Sequence, residues 1–397
     1  MNPAKPTENT GPARLESVDL LRGLIMVVMA LDHTRDFFHG PSIQGINALD
    51  LSQTTAGIFL TRFITHYCAP TFAFLAGTGT FLAILRGKAR RGLSGFLITR
   101  GLWLIFLELT ILMWFGWMFA VDVHSYILAT LWSLGWSMIV LAGLIHLPLW
   151  AIVTFGLTLV LGHNAFDAVK PEAWGAWAPL WQVLHAGGKL TLAGNIQVRV
   201  FYPLIPWLGV MGLGYAFGAI YQWAPAVRQR WLLRLGSALI AGFVLLRWSN
   251  LYGNPTPWTA QKSAGFTLLS FLDVQKYPPS LCYLLVTLGP GLILLAVFER
   301  GTPKWLNPLL VFGRVPMFYY LLHIPLLHGL SVLMNYVRFG GGDFNAIVGG
   351  VAPADAGVGL IWVYVIWLAV VCALYPACRW FADLKRRRRD LAWLTYF

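Results

Sequence analysis

The first long apolar stretch, residues 17–39, carries side chains suited to acid–base chemistry. Its sequence is SVDLLRGLIMVVMALDHTRDFFH, with Arg22 near one end and Asp32, His33, Arg35 and Asp36 near the other. Ionisable groups inside a membrane span are costly, so they suggest a function and require partners. Arg22 and His33 are eleven residues apart, close to three helical turns. They therefore share a face and lie roughly 16 Å apart along the axis.

The spacing around His33 predicts an oriented imidazole. Asp36 follows His33 by three residues and can reach its ring, while Asp32 and Asp36 can share Arg35. A histidine with a carboxylate neighbour is a candidate general base. The alternative for Arg35 and Asp36 is a solvated charge cluster at a helix end.

Two further apolar stretches carry polar side chains at helical spacing. Arg62 and His66 are four residues apart and are expected to face the bundle together. Arg62 cannot neutralise itself by losing a proton, whereas His66 could simply form a hydrogen bond between helices. Arg100 and Glu108 share one face about two turns apart. Arg100 could snorkel to the inner edge, and Glu108 needs a partner.

A later stretch, NPLLVFGRVPMFYYLLHIPLLHGL, combines an arginine with two histidines. Arg314 precedes Pro316, which is placed to begin a helix. The free N–H groups at this helix start, with Arg314, predict an anion site for a phosphate. His323 and His328 follow within the helix, and Pro325 is expected to kink it between them.

Composition places these residues in a membrane. The 397-residue chain is 57% hydrophobic and 11% charged, and its mean hydropathy is +0.65. These values exclude a soluble enzyme. The net charge of +13 is explained by Lys and Arg in short cytoplasmic loops, so no nucleic-acid partner is expected.

The apolar pattern predicts an all-α, polytopic helix bundle of about ten spans. The pair 125–145 and 147–162 could instead form one kinked feature. The predicted spans are 18–38, 58–85, 95–119, 125–145, 147–162, 203–222, 233–250, 280–298, 308–334 and 358–382.

Basic segments set the predicted orientation. Residues 86–92, 228–234, 299–304 and 385–389 are rich in Lys or Arg, and ten alternating spans place all four inside, with both termini cytoplasmic. The chain then divides into a tail at 1–16, a transmembrane domain at 17–384 and a basic tail at 385–397 that can contact anionic lipid.

The outer segments are rich in tryptophan, which indicates either an interfacial aromatic belt or a platform for a sugar ring. The four cysteines show no metal-ligand or disulfide spacing, and no zinc motif occurs, so no metal is predicted.

Three segments together resemble a known family. They are SVDLLRG at the start of the first span, THYCAPTFAFLAG at 65–77 and GRVPMFYYLLHIPL at 313–326. With Arg22 and His33 separated by ten residues, the chain resembles the integral-membrane acyltransferase superfamily. Within it, the chain is most similar to bacterial relatives of lysosomal heparan-α-glucosaminide N-acetyltransferase.

The resemblance implies an enzyme of the bacterial cytoplasmic (inner) membrane that moves an acetyl or other acyl group from cytoplasmic acetyl-CoA to a hydroxyl or amine. The acceptor would be a glycan or small molecule on the outer side. An essential membrane histidine maps to His33, and the position of the active histidine in the lysosomal enzyme points to His39.

On this interpretation, CoA would be held by basic residues and His323. Arg62 or His66 would stabilise the oxyanion of acyl transfer. Asp32 and Asp36 would support the base. The residues assigned to the donor are Arg22, Arg62, Arg100, Arg314 and His323.

Two other functions fit the same residues. Buried His, Asp and Arg also build proton relays, so a proton-coupled transporter or channel is one alternative, although no inverted repeat is visible. A non-catalytic membrane scaffold is the other. Membrane lipids are expected partners in every case, and a homodimer is an option.

Overall fold

The computed structural model describes residues 15–192, 194–301, 303–344, 351–388 and 390–397. Most of the predicted tail at 1–16 lies outside the described residues, and so does Arg389 of the basic segment at 385–389. The division into tails and one membrane domain stays a prediction.

The fold is predominantly helical, which confirms the predicted class. The helices are α1 (Glu16–Phe38), α2 (Gly40–Ile43), α3 (Ala56–Thr65), α4 (Cys68–Leu85), α5 (Arg90–Leu107), α6 (Thr130–Leu144), α7 (Leu149–Gly162), α8 (Ala178–Trp181), α9 (Leu204–Phe217), α10 (Pro225–Ser249), α11 (Ala264–Leu272), α12 (Leu281–Phe298), α13 (Asn307–Arg314), α14 (Pro316–Phe339) and α15 (Leu360–Arg387). A π-helical segment, Glu108–Trp117, continues α5.

Eight helical segments within the described residues are long and apolar enough to cross a membrane. They are Ala56–Leu85, Arg90–Trp117, Leu149–Phe166, Leu204–Gln222, Pro225–Ser249, Leu281–Phe298, Pro316–Phe339 and Leu360–Arg387. The fifteen-residue α6 is apolar but shorter, and α1 carries several charges. The count of ten and the sides of the termini stay predictions.

The charged helix α1 lies at the centre of the bundle, packed against α4, α12, α13, α14 and α15. Its Asp19, Asp32 and Arg35 are buried. Protein neighbours therefore surround these groups, which explains how a helix with such charges is accommodated. The closest approach is to α13, where a Cβ at Gly23 would overlap the Leu309 carbonyl and one at Gly313 would overlap that of Asp19.

Two predicted spans are interrupted near prolines. The span at 58–85 breaks between α3 and α4, because the ring of Pro70 would clash with the carbonyl of His66 in a continuous helix. The span at 308–334 breaks at Val315, whose φ of −132° and ψ of 48° are not helical. Pro316 then begins α14, as predicted. Helix α14 continues through Pro325.

The start of the predicted span 125–145 was wrong. Ser125–Leu128 is a strand, β1, and α6 begins only at Thr130. Helices α6 and α7 are also separate, so the single kinked feature is excluded. Strands β2 (Gly188–Leu192) and β3 (Ile196–Val200) complete a small sheet within the described residues.

The sheet has the order β1-β3-β2, with β1 parallel and β2 antiparallel to β3. Leu128, Leu190, Val198 and Val200 form its own small apolar cluster. Alternating side chains explain the pairing, because one face of each strand contributes to this cluster. Helical periodicity alone could not predict strands this short.

Candidate active site

A cavity of about 540 Å³ connects the two polar ends of α1. Arg22 lines it near the start of the helix and His33 lines it three turns later, so the predicted shared face is confirmed. Other predicted site residues also line it, namely Asp32, Asp36, Arg62, Arg100 and Arg314. Among the described residues, His39, His66 and His323 do not belong to its lining.

His33 on α1 is hydrogen-bonded to His323 on α14. The Nδ1 atom of His33 lies 2.8 Å from Nε2 of His323. The two rings stack, with centroids 4.9 Å apart and an angle of 15° between their planes. His323 is fully buried, whereas His33 is partly exposed to the cavity. The imidazole partner is therefore a second histidine instead of the predicted carboxylate Asp36.

The backbone sets the direction of this hydrogen bond. Nδ1 of His323 lies 3.0 Å from the carbonyl oxygen of Tyr319, which can only accept. Nδ1 of His323 must then carry a proton, and in a neutral ring its Nε2 is an acceptor. His33 consequently donates from Nδ1, which leaves the lone pair of its own Nε2 available. A neutral His33 in this tautomer is a base.

Asp32 is the centre of a buried ion-pair network. Nη1 of Arg62 lies 2.6 Å from both carboxylate oxygens, and the Thr65 hydroxyl donates to Oδ1 at 2.9 Å. Arg35 lies 3.1 Å and Lys276 3.8 Å away. Asp32 and Arg62 thus satisfy each other, so Asp32 holds neighbouring cations in place.

Arg35 is shared by Asp32 and Asp36, as predicted. It lies 2.5 Å from Asp36, the more exposed carboxylate of the two. Beyond the end of α1, His39 is buried, and its Nδ1 lies 3.3 Å from the Ser42 hydroxyl. Its backbone bridges to Val358. The structure thus places His33, and not His39, on the cavity.

A second, smaller cavity of about 300 Å³ lies on the other side of Arg62. His66 lines this cavity and is fully buried, with its ring 5.4 Å from that of Tyr283. Three residues line both cavities, namely Arg62, Lys276 and Tyr277. Arg62 and His66 therefore share the smaller cavity, in agreement with the expectation that they face one direction, and only Arg62 also lines the large cavity.

Lys276 and Tyr277 were not singled out from the sequence. They lie between α11 and α12, in a segment without helical periodicity. Removal from bulk water alone would raise the pKa of Tyr277. The positive charges of Lys276 and Arg62 outweigh that effect and hold the pKa below its usual range. In the sequence, the only sign of this part of the site was Lys276, a lysine in a predicted outer segment that is poor in Lys and Arg.

Basic side chains line the opposite end of the large cavity. They are Arg22, Lys88, Arg100, Arg314 and Lys385. Arg22 donates to Asp19 at 3.3 Å. The C-terminal segment also reaches this end, where Arg100 donates to the Thr395 carbonyl at 2.6 Å. Of the residues predicted to hold a donor, Arg22, Arg100 and Arg314 meet here. Arg62 lies at the far end with Asp32, and His323 lies behind His33.

Comparison with known families agrees with this arrangement. The model of the heparan-alpha-glucosaminide N-acetyltransferase catalytic domain matches residues 14–249, more than half of the chain. The chain belongs to this family. A search of curated proteins finds no match. The family is named for an N-acetyltransferase, and the eight apolar segments make this member an integral membrane protein.

The family match ends before several residues of the site. Lys276, Tyr277, Arg314 and His323 all follow residue 249. In this acetyltransferase-family chain, the matched part supplies the face of α1. The remaining part supplies the partner of His33 and two of the five basic residues at the opposite end, Arg314 and Lys385. The site is therefore assembled from both parts of the sequence.

Glu108, the buried acid that was predicted to need a partner, finds it outside the large cavity. Its Oε2 accepts the backbone N–H groups of Leu131 at 2.6 Å and Trp132 at 3.3 Å. These are free N–H groups in the first turn of α6. Glu108 thus caps the first turn of α6.

Proposed function

We propose that this chain is a membrane acyltransferase that moves an acetyl group from acetyl-CoA to a hydroxyl or amine acceptor, with His33 as the general base. The observation that carries the proposal is the direction of the His33–His323 hydrogen bond. It leaves an unprotonated Nε2 on the ring of His33. This ring lines a cavity whose other end carries positively charged side chains. Membership of the N-acetyltransferase family supports the reaction class.

The basic end fits the donor. The phosphates of CoA are anionic, and Arg22, Arg100 and Arg314 supply charge-assisted hydrogen-bond donors for them. The axial separation of Arg22 and His33, roughly 16 Å, suits an extended pantetheine arm that carries the thioester toward the imidazole. Because basic segments favour the cytoplasm, this end would face the compartment that supplies acyl-CoA.

At His33, the reaction is direct acyl transfer. Nε2 takes the proton from the acceptor O–H or N–H while the acceptor heteroatom attacks the thioester carbonyl carbon. The resulting oxyanion is stabilised by cationic groups at that end of the cavity, for which Arg62 and Lys276 are candidates. When the C–S bond breaks, the CoA sulfur leaves as a thiolate and receives the proton that His33 carries. The base is thereby regenerated.

The acceptor would enter through the smaller cavity. Arg62, Lys276 and Tyr277 form a shared wall between this cavity and the donor cavity. His66 lines only the acceptor side, so we assign the oxyanion role to Arg62 before His66. A polar wall of this kind also separates the thioester from water until an acceptor is bound.

The test is acetyl transfer by the purified full chain in lipid nanodiscs. Labelled acetyl-CoA is supplied with a panel of amino sugars, sugars and simple amines, and free CoA is measured with and without each acceptor. We expect acceptor-dependent CoA release. Solute flux in proteoliposomes without any CoA binding would refute the enzyme and support the transporter alternative.

A further inference from the structure

A second cluster of buried polar residues lies away from the acyl-transfer cavities. His163 follows the last residue of α7, and Asp167 lies one turn further on. His185 comes from a π-helical segment, Gln182–Ala186. One ligand atom from each of the three side chains lies within 4.8 Å of the other two.

Both histidines are buried, and His163 lacks the partner that a buried imidazole normally has. His163 is 3% exposed and His185 is 2% exposed. Among the described residues, neither ring nitrogen of His163 has a hydrogen-bond partner, whereas His185 turns its Nε2 toward Asp167. Buried polar atoms are nearly always paired, so an unpaired imidazole beside a carboxylate and a second imidazole points to a site for a ligand.

The carboxylate is already oriented. Nδ2 of Asn164 donates to Oδ2 of Asp167 at 2.8 Å, which leaves Oδ1 facing Nε2 of His185 at 3.4 Å. Two ligands of one tetrahedral zinc, with bonds of about 2.0–2.1 Å, lie about 3.4 Å apart. The Asp167–His185 pair therefore has the spacing of two metal ligands, and a ring nitrogen of His163 lies within 4.8 Å of both.

We propose that His163, Asp167 and His185 bind a divalent transition-metal ion, with zinc as the best fit. Two imidazoles and one carboxylate favour zinc over calcium or magnesium, which prefer oxygen ligands only. A water molecule would fill the fourth position. The site is independent of the proposed acyl transfer.

The metal would cross-link two parts of the fold directly. It joins the end of α7 to the segment after α8, and the ring of Trp181, the last residue of α8, lies 4.9 Å from that of His185. Asn164 in turn accepts the N–H of Leu281, the first residue of α12, at 2.8 Å. We therefore expect the ion to stabilise this end of the bundle.

The experiment measures zinc bound to the full chain, purified without a histidine tag and treated with chelator. Zinc is added against a chromophoric chelator, and we expect about one tightly bound ion per chain. His163→Ala and His185→Ala should each abolish that binding. His124→Ala is the matched control, because His124 forms an exposed pair with Asp122 at 3.7 Å, and it should bind zinc like the wild type.

A wild-type chain that holds no zinc beyond the weak level of nonspecific sites overturns the proposal, as does undiminished binding in His163→Ala. If the alanine variants do not fold, Asp167→Asn provides the test, since an amide can keep the contact with Asn164. Added zinc should raise the melting temperature of the wild type and not of Asp167→Asn. An equal rise in both would refute the site.

Discussion

His33 and His323 meet across α1 and α14 through a 2.8 Å hydrogen bond, although 290 residues separate them in the chain. The Tyr319 carbonyl holds His323 in one tautomer. This hydrogen bond leaves the lone pair of His33 Nε2 available, as the proposed acyl transfer requires.

The first prediction distinguishes the two candidate bases. His33→Ala should reduce acetyl transfer by roughly 10²–10⁴-fold, because a general base contributes about that much. CoA binding should remain measurable by calorimetry, since the basic end is unchanged. His39→Ala, which removes a histidine outside the cavity, should keep most of the activity. The reverse pattern would assign the base to His39.

The second prediction concerns His323 as a positioning residue. His323→Gln should lower kcat roughly 10–100-fold while the KM for acetyl-CoA changes little, because the orienting partner of an imidazole acts on the base and not on the donor. The control is His328→Gln in the same helix, where His328 pairs with Asp343 at 2.8 Å. The His328→Gln substitution should instead lower the melting temperature. Equal losses of kcat in both variants would contradict a specific role.

The third prediction concerns the buried charges around Asp32. Asp32→Ala leaves Arg62, Arg35 and Lys276 without their shared carboxylate, and breaking such a pair costs about 3–5 kcal/mol. The melting temperature in detergent should fall sharply. The double variant Asp32→Asn with Arg62→Gln, which removes one charge of each sign, should recover part of the loss. No recovery would show that the network is not primarily electrostatic.

The fourth prediction concerns the donor end. Arg22→Ala and Arg314→Ala should each raise the KM for acetyl-CoA about tenfold, the equivalent of ~1.4 kcal/mol, with little change in kcat. Added salt should weaken donor binding less in the variants than in the wild type. Arg230→Ala is the control, because Arg230 is exposed and does not line the cavity. A KM that rises equally in the control would argue against a specific phosphate site.

Stability should also depend on pH through His39. Burial, assisted by the charge of Arg35, holds the pKa of His39 below its ordinary value of 6.5. The folded state thus binds the proton less readily than the unfolded state. The contribution of His39 is present in full above pH 6.5 and is lost as the pH falls through its lowered pKa. As the pH falls through this range, the melting temperature of the wild type should fall relative to that of His39→Gln, which carries no titrating ring.

The amino-acid sequence by itself determined the membrane class, the helical fold, the common face of Arg22 and His33, and the helix start at Pro316. Each depends on hydrophobicity or on local geometry, which periodicity and proline chemistry express within one segment. The family was also visible, because its motifs are contiguous.

Only the tertiary structure decided which groups meet. His323 rather than Asp36 accompanies His33, Lys276 and Tyr277 join the site from an irregular segment, and His163 lies beside His185. These contacts are made between elements distant in sequence, and packing selects them from many possible pairs. No spacing rule within one helix contains that information.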